Sequence, residues 1–138
     1  MFVIDNSGSM GGTSIVQAKA SLLYALGRLK PVDRFNVIRF DHTMDVLFPD
    51  AVPADAEHVS RAKVFVDALK AQGGTEMLPS MKAALTDPRE SDASFLRQVV
   101  FLTDGAIGNE QQLLDTIAAM RGRSRVFMVG IGSAPNPF

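Results

Sequence analysis

The chain contains no cysteine. That excludes a disulfide framework and any thiolate-bound metal, and it leaves the redox compartment open. Charge of one sign is also lacking. Fourteen Lys and Arg stand against 15 Asp and Glu, for a net charge of −1, so nothing suggests a nucleic-acid or membrane-surface footprint. No apolar run approaches the ~20 residues of a membrane span, and no signal-peptide pattern precedes the first strand. The glycine-rich Gly8-Ser9-Met10-Gly11-Gly12-Thr13 has no lysine after it and lacks G-x-G-x-x-G spacing. It is therefore neither a phosphate-cradling P-loop nor a dinucleotide fingerprint. No G-x-S-x-G elbow surrounds Ser7 or Ser9, and neither histidine has a triad partner nearby, which argues against a hydrolase.

What is present is one domain's worth of alternating strands and helices. The chain has 138 residues, 46% of them hydrophobic, an ordinary globular composition near the commonest domain size. Phe2 to Ile4 reads as a first strand. Ile15, Ala18, Leu22, Leu23, Leu26 and Leu29 recur at helical spacing and predict a helix over roughly 14 to 29. Phe35 to Phe40 reads as a second strand, and Met44 to Phe48 as a short antiparallel edge strand after a tight turn at Asp41-His42-Thr43. Val59, Ala62, Val66 and Leu69 mark a second helix. Met77, Met81, Ala84 and Leu85 mark a third, with Pro79 tolerated in its first turn. Gln98 to Thr103 is a buried-strand pattern, Leu113 to Met120 a fourth helix, and Val126 to Val129 a last strand. Such alternation predicts a Rossmann-like, doubly wound α/β fold: a mostly parallel sheet with helices on both faces and right-handed crossovers.

The chemistry gathers where these strands end. Asp5-Asn6-Ser7-Gly8-Ser9 follows the first strand, with a carboxylate and two hydroxyls at alternate positions. The glycine between the serines lets the loop curl so that they can converge. Gln72-Gly73-Gly74-Thr75 is a glycine-rich loop that offers a hydroxyl before a helix. Val99-Val100-Phe101-Leu102-Thr103-Asp104-Gly105 is a strand that ends in a carboxylate. Every candidate ligand is an oxygen. That set suits a hard cation such as Mg²⁺ or Ca²⁺ and does not suit zinc or copper. In open α/β sheets, ligands bind at strand ends where the strand order reverses.

Asp-x-Ser-x-Ser, then Gly-Gly-Thr, then Thr-Asp-Gly, in that order, resembles the von Willebrand factor type A (vWA) domain, across the whole chain. The matching residues resemble that family's metal-ion-dependent adhesion site. The resemblance implies a metal site formed by Asp5, Ser7, Ser9, Thr75 and Asp104, with Asp104 acting through water. It implies Mg²⁺, or Mn²⁺ or Ca²⁺, as the ion, and a partner protein that supplies Asp or Glu to an open coordination position. Phe2 to Met10 and Val129-Gly130-Ile131-Gly132-Ser133-Ala134 look most like the bacterial relatives of inter-alpha-trypsin inhibitor heavy chains. The implied setting is the cell envelope or outside the cell. The family fold adds a helix and a parallel strand after Ser133 that this sequence lacks. Residues 1–138 are therefore expected to be a single vWA domain, truncated at its C-terminal end and cut from a longer protein. The strand at 126–129 is then expected to be an exposed edge that invites self-association.

Each residue also has a structural reading. Asp5 can be a turn or capping aspartate, and Ser7 and Ser9 can bond their own backbone. Thr75 can be a helix N-cap, and Asp104 a turn residue before Gly105. Asp41 and His42 read as solvated loop residues, the methionines as core filler, and Arg121, Arg123 and Arg125 as a solvated basic turn. The rival function is a Mg²⁺-dependent phosphoryl-transfer enzyme with an aspartate nucleophile. That chemistry wants a second carboxylate two residues after Asp5, where Ser7 stands, and a lysine near Asp104, which is missing. The sequence is therefore read as a non-enzymatic, metal-dependent protein-binding module. A vWA scaffold without useful metal affinity remains the other non-enzymatic reading. Asp5→Ala is expected to remove the metal and to leave the fold intact, on the premise that the site is a surface loop.

Overall fold

A computed structural model describes residues 1–74, 77–85, 98–103, 110–120 and 125–130. In chain order the elements are β1 (Phe2–Asp5), α1 (Thr13–Gly27), β2 (Arg34–Phe35), β3 (Val37–Phe40), β4 (Met44–Val46), β5 (Val52–Pro53), α2 (Ala56–Asp67), α3 (Met77–Leu85), β6 (Gln98–Thr103), α4 (Glu110–Met120) and β7 (Arg125–Gly130). A single 3₁₀ turn, Gly8–Met10, lies between β1 and α1.

The main sheet has the order β4-β3-β1-β6-β7. β1 pairs in parallel with both β3 and β6, β7 pairs in parallel with β6, and only β4 runs antiparallel, against β3. This is the doubly wound architecture that the alternation predicts, with its one short antiparallel edge strand. Side chains alternate across each strand and divide the core in two. Ile4, Val37 and Leu102 face one cluster with Ala18, Leu22 and Leu26 of α1 and Ala62 and Val66 of α2. Val3, Ile38, Phe40, Val99 and Phe101 face the other with Met81 and Ala84 of α3, flanked by Ile117 of α4. The period-2 alternation of the strands meets apolar stripes spaced at i, i+3 or i+4 on the helices, so both sheet faces are covered.

The stretch 35–40 is not one strand. Asn36 breaks it, because its buried side chain acts as a backbone partner for Phe48. Oδ1 accepts from the Phe48 N–H at 3.0 Å and the Val37 N–H at 2.8 Å, while Nδ2 donates to the Phe48 carbonyl at 2.8 Å. Residues before the break form β2, which pairs antiparallel with β5 in a separate two-stranded sheet. The same clasp ends β4 at Val46, short of Phe48, and seats the Phe48 ring edge-on against Phe35 at 5.7 Å. Asp55, whose carboxylate accepts from the His58 N–H at 2.9 Å, starts α2 three residues earlier than its apolar stripe does.

β7 pairs with β6, and among the described residues nothing pairs with its outer side. Phe127 and Val129 stand opposite Val100 and Leu102 and are 46% and 37% exposed. An apolar parallel edge with open backbone groups is a template for another chain. Phe127→Lys is therefore expected to lower the self-associated fraction in sedimentation at high concentration. Equal fractions in the two proteins would count against the edge as the cause.

Candidate metal centre

β1 connects onward to β3 on one side, and β6 connects onward to β7 on the other. The strand order therefore reverses between β1 and β6, and the crevice at their carboxyl ends is the switch point. Asp5 is the last residue of β1, and Thr103 is the last of β6.

Asp5 is fully buried. Its Oδ1 accepts from the Ser7 N–H at 2.8 Å, and its Oδ2 accepts from the Thr103 hydroxyl at 2.9 Å. The premise that Asp5 sits in an exposed loop is thereby corrected. The strand carries it beneath the loop that it begins, and Asp5→Ala would leave a buried N–H and a buried hydroxyl without this acceptor. Ser7 is also fully buried, and its carbonyl accepts from the Met10 N–H at 2.9 Å, closing the turn. Ser9 lies in the 3₁₀ turn, and its side chain is outside the described part of the structure. Thr75 and Asp104 likewise lie outside the described residues. The structure thus brings Asp5 and Ser7 together.

The loop that leads toward Thr75 docks directly on the Asp5 loop. The Gln72 N–H donates to the Asn6 carbonyl at 2.9 Å, and the Gly8 N–H donates to the Gly73 carbonyl at 2.9 Å. Asn6 Nδ2 donates to the Lys70 carbonyl at 3.2 Å. Upstream, Lys19 of α1 reaches the carbonyls of Asp67 and Leu69 at the end of α2, at 2.6 and 3.1 Å. A cation there also suits the negative end of the helix dipole. Gly73 has φ +79°, a conformation that favours glycine.

Two features of this arrangement fit a hard divalent cation. Asp5 and Ser7, the described side chains of the motif at the switch point, offer oxygens, the ligand type such an ion takes. Asn6 Oδ1, between Asp5 and Ser7, is buried with no hydrogen-bond partner among the described residues. A buried acceptor of that kind calls for a bound water or ion. Among the described residues, no three His, Cys, Asp or Glu side chains come together as a metal cage.

Sequence reasoning missed the placement of two residues at this edge of the sheet. The sequence marks Thr103 only as the end of a strand and part of Thr-Asp-Gly, yet its hydroxyl anchors Asp5. Its signal was a polar residue closing an otherwise apolar strand. Asp41, read as solvated, is 2% exposed. Its Oδ1 accepts from the Thr43 N–H at 2.7 Å and the Thr43 hydroxyl at 2.8 Å, and Arg39 lies 3.3 Å away. Burial pushes its carboxyl up, but the Thr43 bonds, then Arg39 and His42, outweigh it and hold the pKa below the ordinary carboxylate value. A depressed carboxylate pKa contributes stability that is present above the unfolded value and lost as pH falls through the folded one. Asp41→Asn is expected to flatten that acid loss of stability below the ordinary carboxylate range. An unchanged dependence of Tm on pH in the variant would refute it.

A family model described as von Willebrand factor type A domain matches residues 1–137. The chain belongs to the vWA family. It is 34% identical over 143 residues to human inter-alpha-trypsin inhibitor heavy chain H4, covering 96% of this chain and 15% of that protein. A vWA structure from Catenulispora acidiphila superposes with a TM-score of 0.79 at 26% identity, over 94% of this chain and 32% of that one. Proximal thread matrix protein 1 of the mussel byssus, solved with a zinc-occupied metal-ion-dependent adhesion site, superposes at a TM-score of 0.68 and 19% identity, over 96% of this chain and 38% of that one. The chain spans about one seventh of the length of the curated relatives it matches, 14% of one and 15% of another. Domains of this family generally serve as protein-interaction modules. No described helix is long and apolar enough to cross a membrane.

Proposed function

We propose that this vWA domain is a metal-dependent protein-binding module that presents a divalent cation to an acidic side chain of a partner. Asp5, Ser7, Ser9, Thr75 and Asp104 hold the ion, which is Mg²⁺, or alternatively Mn²⁺ or Ca²⁺. The observation that carries this reading is Asp5: a buried carboxylate at the switch point, oriented by the Ser7 N–H and the Thr103 hydroxyl. A fold-mate holds zinc in its own metal-ion-dependent adhesion site, which supports a dication in this fold, while the oxygen-only set here still favours Mg²⁺ over zinc.

The chemistry of the set favours binding over catalysis. Hydroxyls, waters and two carboxylates at most leave a dication electrophilic, with a position open for an incoming carboxylate. Ser7 stands where a phosphoryl-transfer enzyme would want its acid/base, and a serine hydroxyl is a poor proton shuttle. The whole chain acts as one domain, and its natural setting is the cell envelope or the cell exterior.

Calorimetric titration with Mg²⁺ is the test. Saturable binding at one site supports the reading. Absence of binding would assign the chain to the other non-enzymatic class, a vWA scaffold without useful metal affinity.

A further inference from the structure

We propose that Asp41 and His42 are positioning residues for the metal site. They clamp the Gly73-Gly74 loop against the Asn6-to-Gly8 loop, so that the backbone entering Thr75 has one setting. This proposal rests on the reading of that loop as a source of a metal ligand.

The two residues lie just beyond β3, the strand next to β1, and Asp5 is in register with Phe40. They therefore share the carboxyl edge of the sheet with Asp5. Asp41 is the fixed half of the pair, held by Thr43 and Arg39. Arg39 is tied in turn to Asp45 across the hairpin. His42 is the outer half. Its Nδ1 lies 3.5 Å from Asp41 Oδ1, and its side chain is 62% exposed, so core packing does not account for its placement. The imidazole covers Gly73. A Cβ added there would come within 2.4 Å of His42 Nδ1 and 2.9 Å of Cε1, and one on Gly74 would lie 3.7 Å from the His42 Cβ. The Gly73 carbonyl meanwhile accepts from the Gly8 N–H. The loop is thus gripped between the Gly8 amide and a histidine ring that stands where any other residue would carry its side chain. Glycine at 73 allows the ring to approach this closely, and the ring limits where the glycines can move.

Two measurements on the whole chain test the clamp: amide hydrogen exchange of Gly8 and Gln72 without metal, and calorimetric Mg²⁺ affinity. In His42→Ala, both amides are expected to exchange on the order of tenfold faster with little change in Tm. Mg²⁺ affinity should fall on the order of tenfold, the low end of what losing a group that orients a ligand does. His42→Gln keeps a polar side chain beside Asp41 and reach over the glycines, and should recover most of both losses. Exchange at Gly8 and Gln72 that is unaltered in His42→Ala would overturn the clamp. Altered exchange with unaltered Mg²⁺ affinity would overturn its link to the metal. If the unmodified chain takes up no Mg²⁺, the metal reading and that link fail together. The exchange rates alone then decide whether the pair holds the loop.

Discussion

Asp5→Asn is expected to abolish Mg²⁺ binding in calorimetry while the chain stays folded. The carboxylate supplies negative charge at a buried position, and a dication in the proposed site would depend on it for neutralisation. Its loss should exceed the ~10–100-fold typical of removing a group that only supports a ligand. Asparagine suits the test better than alanine. It keeps an oxygen for the Ser7 N–H, and the Thr103 hydroxyl can turn to accept from its amide. Alanine would strip both buried partners of this acceptor, at about 1–3 kcal/mol for each unsatisfied group, and a metal defect would be confused with unfolding. Thr103→Val complements it. That change leaves the charge in place and removes only the orienting bond, so affinity should drop within the ~10–100-fold range. Wild-type Mg²⁺ affinity in folded Asp5→Asn would sink the site assignment.

Excess EDTA is expected to eliminate binding of the partner protein, and added Mg²⁺ to restore it. In the proposed site, Asp5 and Asp104 would supply two negative charges at most, and Asp104, acting through water, would weigh less. An ion held so would prefer an incoming carboxylate to another neutral oxygen. A Glu→Gln or Asp→Asn change at the partner's contact residue should therefore mimic chelation. Thr75→Ala should weaken binding as well, through loss of a ligand oxygen. Partner affinity that stays constant in excess EDTA would show that recognition bypasses the metal, and the proposed function would be wrong.

Much of the fold is legible in the sequence because the pattern is local. β1, α3, β6 and β7 stand within one residue of the apolar runs that predict them, since burial on one or both faces dictates residue choice at a fixed period. α2 starts three residues before its apolar stripe, because the Asp55 cap acts through a single hydrogen bond that periodicity does not register. The division of 35–40 was not legible. Asn36 breaks the strand by bonding to Phe48, twelve residues away, and nothing in its neighbours announces that partner.

The candidate site divides the same way. The sequence alone supplied the ligand chemistry: oxygens only, at strand ends, in the order of the vWA motif. Those properties depend on residue type and spacing, and both are written in the chain. The tertiary structure alone decided that Asp5 is buried, that Thr103 bonds it, and that Asp41 is buried against Thr43 with His42 laid over Gly73. These facts arise between segments up to 98 residues apart. Burial and hydrogen bonding at such separations depend on which strands lie side by side, and strand order is settled by how the whole sheet packs against its helices.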